Sequence, residues 1–246
     1  MIPYASVRKL GEVEAGREGT NGFPYVVHKG KKLFFPKKWT PARALKCYRE
    51  FVERENITSV GSDGYLRKMP HQYQSEKVHV KKGDVVVDVG AAEGLFSLDV
   101  AELASKIYLF ENDPLWFPAL ERTFEPFASK TTIIRKTVGA CDSRKSILLS
   151  TALQNDVGKR IFVKMDIEGG EVGVIEGSRD FLREGKGDIQ LACCTYHRKD
   201  DATVLERIFR EEGFETEFSD GYMLVFSRRL DYPYFRKGII RAWRAR

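Results

Sequence analysis

Residues 84–94 read DVVVDVGAAEG. The first six, Asp84 to Val89, are β-branched and nearly continuous rather than alternating, as expected of a strand covered on both faces. Gly90 and Gly94 follow, so the strand should pass through a tight turn into a helix over Gly94 to Ala104. Strand, turn and helix make the first half of a parallel crossover unit. The pattern repeats downstream. Strands are expected at Lys106 to Phe110, Thr131 to Arg135, Ser146 to Ser150, Arg160 to Met165 and Asp188 to Cys194. One helix should open at Asp113–Pro114, where Asp can cap and Pro suits the first turn, and another should cover Glu171 to Leu182. This alternation predicts an α/β chain built on a doubly wound parallel sheet.

The two ends differ. Asp200 or Asp201 can cap a helix with Val204, Leu205, Ile208 and Phe209 on one face, ended by Gly213. Phe214 to Phe218 and Tyr222 to Phe226 then read as strands around Ser219–Asp220–Gly221, a C-terminal antiparallel hairpin. Residues 1–77 lack the alternation. They hold one helix, Thr40 to Glu55 with Pro41 in its first turn, and a loop carrying Gly61, Gly64 and Pro70. The expected division is an N-terminal accessory segment (1–77), a core (78–227) and a basic tail (228–246).

The chain has 246 residues, 42% hydrophobic and 31% charged, which excludes a mostly disordered or collagen-like protein. No apolar run approaches the ~18 to 20 residues of a membrane helix, and Met1 to Leu10 lacks the apolar middle of a signal peptide, so a cytoplasmic address is expected. Cys47, Cys141, Cys193 and Cys194 show no CxxC spacing and read as reduced, mostly core residues. The net charge of +6 is segregated: +7 over residues 1–50, −7 over 51–227 and +6 over 228–246. The middle of the chain is acidic.

Gly90 and Gly94 lie at the carboxyl end of the first core strand, where open parallel sheets bind ligands. A dinucleotide fingerprint starting at Gly90 needs glycines at 92 and 95, and the chain has Ala92 and Leu95, so a diphosphate fits poorly. Glu111 ends the next strand 21 residues beyond Gly90, near the offset at which an acid accepts from ribose hydroxyls. The D-x-G-x-x-x-G spacing from Asp88 resembles the first motif of class I S-adenosylmethionine-dependent methyltransferases. Residues 164–171, KMDIEGGE, with an apolar helix and Gly177 after them, resemble the hallmark of the FkbM-type branch of that family. The resemblance spans about residues 78–227, and a looser one covers Trp39 to Tyr73 with its Pro70-His71-x-Tyr73 turn.

The resemblance implies a Rossmann-like, mostly parallel seven-stranded sheet and S-adenosylmethionine as cofactor. It places the cofactor on Asp88, Gly90, Ala91, Ala92, Gly94, Glu111, Asn112, Val138 and Asp166. Asp166, Glu168 and His197 are implied as the catalytic set, since a hydroxyl acceptor benefits from a base near neutral pH. Thr195 departs from the family's acid-x-His element, so Asp166 or Glu168 would have to orient His197 or replace it. Glu171 reads as an acidic first-turn residue favoured by the helix dipole. No metal is expected, with a divalent cation among Asp166, Glu168 and His197 as the open alternative.

The family's precedent is O-methylation, with a small-molecule or glycan hydroxyl as acceptor. Two other readings come from the basic ends. Lys31 to Lys38 around Phe34 and Phe35, and Tyr232 to Arg246 with Phe235 and Trp243, could hold phosphates and stack bases, as an RNA methyltransferase would. Alternatively, Ile239, Ile240 and Trp243 at helical spacing could dock a non-catalytic adenosyl-binding module on a membrane-associated partner.

Overall fold

The computed structural model describes residues 11–55, 69–184, 188–224 and 232–244. Its N-terminal part holds β1 (Ala15–Arg17), β2 (Pro24–His28), β3 (Lys31–Phe34) and α1 (Pro41–Arg49). The crossover units follow: β4 (Val85–Val89), α2 (Leu95–Val100), β5 (Lys106–Phe110), α3 (Phe117–Phe124) and β6 (Thr131–Ile134). A short pair, β7 (Thr137–Val138) and β8 (Ser146–Ile147), leads through α4 (Leu149–Ala152) to β9 (Ile161–Met165). Then come α5 (Glu171–Gly177), α6 (Arg179–Glu184), β10 (Ile189–Cys194), α7 (Asp201–Glu211), β11 (Glu215–Phe218), β12 (Met223–Leu224), β13 (Phe235–Arg236) and β14 (Ile239–Trp243).

The main sheet has seven strands in the order β11-β14-β10-β9-β4-β5-β6. Its pairings are parallel except those of β14, which runs antiparallel to both neighbours. Every residue of β4 and β9 is buried, with Val85, Val87 and Val89 in one core and Val86 and Phe162 in the other. Two-sided burial explains why these strands are apolar throughout. Each fully covered side chain of this kind contributes about 1.5 to 3 kcal/mol before ordering entropy is subtracted. The chain moves outward from β4 to β6, then returns to β9 on the other side of β4. That reversal opens a crevice at the carboxyl ends of β4 and β9.

The N-terminal strands form a separate antiparallel sheet in the order β1-β2-β3. The Thr40 hydroxyl accepts from the Arg43 amide and Pro41 starts α1, which gives way to a π-helical turn over Glu50–Glu55. Val26, Leu33, Phe35, Ala44 and Tyr48 join Leu95, Leu98 and Leu120 in one core. Gly61 and Gly64 of the expected loop lie outside the described residues.

Several local expectations are corrected. Phe218 pairs with Ile240 of β14, not with the segment after Gly221. Met223–Leu224 pairs instead with Phe235–Arg236, while Val225 and Phe226 lie outside the described residues. The reason is burial: the place beside β10 is covered on both faces, and Ile239, Ile240 and Ala242 fill it with no exposed surface. Ile239 enters one core and Ile240 the other, so the segment read as an amphipathic helix is a strand. Ser146–Ser150 forms only a two-residue strand, because the chain turns there to bury Leu149. The helix expected over Glu171 to Leu182 breaks at Ser178, whose hydroxyl donates to the Val174 carbonyl at 2.7 Å.

Phe34 and Phe35 are buried and cannot stack bases from the Lys31 to Lys38 stretch. Cys193 and Cys194 are core residues, whereas Cys47 is half-buried and Cys141 is exposed. Among the described residues no helix is long and apolar enough to cross a membrane.

Candidate functional site

The crevice holds a cleft of about 380 Å³ lined by Gly90, Ala92, Glu111, Asn112, Val138, Asp166 and Glu168, together with Lys136, Thr137 and Ile167. Four segments assemble it: the turn after β4, the end of β5, the stretch from β6 into β7, and the loop from β9 to α5. Gly90 has φ 79°, and a Cβ there would stand 1.9 Å from the Asp166 carbonyl oxygen. Gly94, at φ 81°, would meet Phe124 and Leu120. Both glycines are therefore required by packing of protein on protein, one to admit the β9–α5 loop and the other to admit α3.

Glu111 fastens the glycine loop. Its Oε2 accepts from the Ala92 amide at 2.8 Å, and Oε1 accepts from Asn112 and Asp113 at 2.7 and 2.8 Å. A carboxylate with two oxygens keeps lone pairs for a further donor. Asp88 and Ala91 are buried and, with Gly94, do not line the cleft. Asp88 lies beside Lys164 in the β4–β9 register. The Lys164 ammonium sits 2.8 Å from Asp88 Oδ1 and donates to the Gly90 carbonyl at 2.6 Å. Ser97 donates to the other Asp88 oxygen at 2.8 Å. Burial works against the Lys164 charge, but Asp88 and Asp166 outweigh it and hold the ammonium above its ordinary range. A charged pair in two apolar strands thus braces the glycine loop from below.

Asp166 is the hub. Its Oδ2 accepts from the Tyr73 hydroxyl at 2.9 Å and lies 3.5 Å from His71 Nε2, which also meets the Tyr73 oxygen at 3.0 Å. Its Oδ1 lies 3.4 Å from His197 Nε2. Burial would raise the Asp166 pKa, yet His71, Lys164 and His197 together hold it well below the carboxylate range. His197 Nδ1 meets Glu171 Oε1 at 2.8 Å, an oxygen that also accepts from the Ile167 amide. Glu168 adopts φ 57° and turns its carboxylate into solvent, 93% exposed and 3.9 Å from His197 Nε2. For His197, burial opposes protonation, but Glu171, Asp166 and Glu168 prevail and raise its pKa.

The expected catalytic residues Asp166, Glu168 and His197 are thus brought together. The partner of His197 is Glu171, which the sequence suggested only as a first-turn acid. Thr195 turns away: its hydroxyl donates to the Lys237 carbonyl at 2.8 Å and ties the end of β10 to the link between β13 and β14. Sequence reasoning also gave no role to His71, Tyr73 or Lys164. A lysine inside the apolar run IFVKM was the available signal for Lys164, since a buried ammonium needs a partner. Among the described residues, donor atoms of His71, Asp166 and Cys194, and of Asp166, Glu171 and His197, lie within 4.8 Å of one another. In the second set the His197 ring lies between the Glu171 and Asp166 carboxylates.

No family model matches the chain, and no curated protein matches it. Solved structures do. A methyltransferase FkbM from Methylobacillus flagellatus KT aligns at 20% identity and a TM-score of 0.51, over 70% of this chain and 46% of that one. A precorrin-6y C5,15-methyltransferase from Geobacter metallireducens GS-15 aligns at 19% and 0.44, over 69% and 83%. A SAM-dependent O-methyltransferase from Thermotoga maritima aligns at 16% and 0.42, over 69% and 62%. The first of these carries the fold assignment, a Rossmann-like sheet.

Proposed function

We propose that the chain is an S-adenosylmethionine-dependent methyltransferase acting on a hydroxyl acceptor. The observation that carries this reading is the union, in one cleft at the sheet's switch point, of the Gly90 turn, Glu111 and two further carboxylates, Asp166 and Glu168. This donor set fits the cofactor. Glu111 retains lone pairs for ribose hydroxyls, and the carboxylates suit a ligand bearing a sulfonium and an ammonium group. Diphosphate would meet the Ala92 methyl and a row of acids. The bound cofactor supplies an electrophilic methyl group and its own leaving group.

The protein has to align the acceptor and take its proton. Asp166, held by Tyr73 and His71, and His197, held by Glu171, form the polar wall for that task. A glycan or natural-product alcohol suits such a wall. The acids disfavour a polyanion, and the buried Phe34 and Phe35 remove one of the two aromatic stretches that suggested RNA. Isothermal titration tests the cofactor reading. S-Adenosylhomocysteine should bind at least tenfold tighter than NAD, and Glu111→Ala should weaken it by about 1 to 3 kcal/mol, the cost of a lost charged hydrogen bond. Equal affinity for NAD, or an unchanged Glu111→Ala affinity, overturns it. A +14 Da product from a candidate glycan then tests the acceptor.

A further inference from the structure

One imidazole, His197, faces three carboxylates: Glu171 at 2.8 Å on Nδ1, and Asp166 at 3.4 Å and Glu168 at 3.9 Å on Nε2. Glu171 is wholly buried; its Oε1 takes the Ile167 amide and the imidazole, and its Oε2 has no hydrogen-bond donor among the described residues. An ionised carboxylate only accepts, so Nδ1 carries a hydrogen and the tautomer is set. With Nδ1 protonated, a neutral ring would point the Nε2 lone pair at an anionic Asp166 oxygen. That repulsion is removed by a proton on Nε2 or by a cation beside Asp166.

The other groups around the ring leave this balance in place. Lys164 is committed to Asp88 and the Gly90 carbonyl, and Arg236 donates to the carbonyls of Tyr196 and His197. His71 is on the far oxygen of Asp166, the Tyr196 ring packs 4.3 Å away, and Asp201 accepts from the Arg198 amide. Arg198 follows His197 directly and packs over Gly169.

We propose that Glu171 is the positioning residue of His197, and that His197 holds a proton in the empty site and gives it up when the cofactor's positive charge enters beside Asp166. The second half rests on the cofactor reading above. In the transfer, the acceptor O–H proton goes to His197 Nε2, the oxygen forms the new bond to carbon, and the C–S electron pair stays on sulfur. One positive charge disappears from sulfur as another appears on the imidazole, under the same carboxylates. The base is thereby available only in the loaded enzyme, and the product complex holds the protonated ring.

The chain has four histidines, so imidazole nitrogen NMR on the ¹⁵N-histidine-labelled full chain can follow His197, assigned through His197→Gln. In the empty protein His197 should titrate above its ordinary value with hydrogen on Nδ1. Glu171→Gln should lower the midpoint by about one pH unit and release the tautomer. Should Glu171→Gln fail to fold, Glu168→Gln, at an exposed side chain, should lower it by a smaller step. With S-adenosylmethionine the midpoint should fall by about one unit relative to the S-adenosylhomocysteine complex, which lacks the sulfonium. Unchanged midpoints in both variants overturn the role of the carboxylates, and equal midpoints in the two complexes overturn the release. If neither ligand binds, as judged by the Gly90 to Gly94 amide signals, the cofactor reading and the release fall. The Glu171 result, measured on the empty protein, is judged separately.

Discussion

A methyl group on residue 90 would stand 1.9 Å from the Asp166 carbonyl oxygen, at a backbone φ of 79°. Gly90→Ala should therefore cost about 1 to 3 kcal/mol of unfolding free energy and displace the β9–α5 loop, read by urea denaturation. Lys164→Met should cost about 3 to 5 kcal/mol, because Asp88 would be left as a buried charge without its ammonium. Adding Asp88→Asn to Lys164→Met should recover a large part of that loss in the same measurement. At this scale the legible residues were those tied to local spacing. Gly90 and Gly94 announce a turn, Glu111 stands at a strand end, and Asp166, Glu168 and His197 follow their strands directly. Glu171, His71 and Tyr73 stood in quoted motifs, but their partners were not readable, because these contacts form across the fold. Glu171 meets His197 over a separation of 26 residues and Tyr73 meets Asp166 over 93.

Among the elements, the strands covered on both faces were readable because nothing but a sheet interior explains a run such as VVVDV or IFVKM. The last strand was not. Ile239, Ile240 and Trp243 fit a helical face as well as a short buried strand, and periodicity cannot separate the two over five residues. The Asp220–Gly221 signal did mark a bend, but the partner of Phe218 is Ile240 of β14, not a residue directly after the turn. The turn before β9 illustrates how elements are joined by charge. Asp156, fully buried, accepts from Tyr108 at 2.6 Å and Lys106 at 3.0 Å, both on β5, and from Lys159 at 2.7 Å. Burial alone would raise its pKa, but Lys159, Tyr108 and Lys106 pull it down to about 2. The folded-state value is depressed, so the stabilisation is complete above the ordinary carboxylate value and is lost as pH falls through about 2. Asp156→Asn should be less stable than the parent by about 2 kcal/mol at pH 7. The gap should close between about pH 4 and pH 2 in acid-dependent thermal melts.

Across the whole molecule, the segregation of charge sets what the protein attracts. Residues 51–227 carry a net −7 and contain the cleft, while the basic residues of the C-terminal segment are partly spent on structure. Arg241 is buried and donates to the Gln72 and Tyr73 carbonyls. Arg236 is likewise committed to backbone carbonyls beside His197. An acidic cleft should bind S-adenosylmethionine, which carries a sulfonium, less well as salt rises, while S-adenosylhomocysteine, a neutral thioether, should respond less. Titrations at about 0.05 and about 0.5 M NaCl, roughly one decade of ionic strength, should show the steeper loss for S-adenosylmethionine.

The strand Ile239–Trp243 lies inside the sheet, not at its margin, and its Arg241 reaches back across 168 residues to Tyr73. A chain emerging from the ribosome can pair β4 with β5 early, yet must keep β10 without its neighbour β14 until residue 243 is free. The Pro70 to Gln74 segment waits as well, since Arg241 and Ser219 hold its carbonyls. Contacts this distant along the chain form slowly. The order of synthesis therefore sets an order of maturation: the β4–β5 pair can form first, and the wall that holds Asp166 from behind is the last part of the cleft to be built.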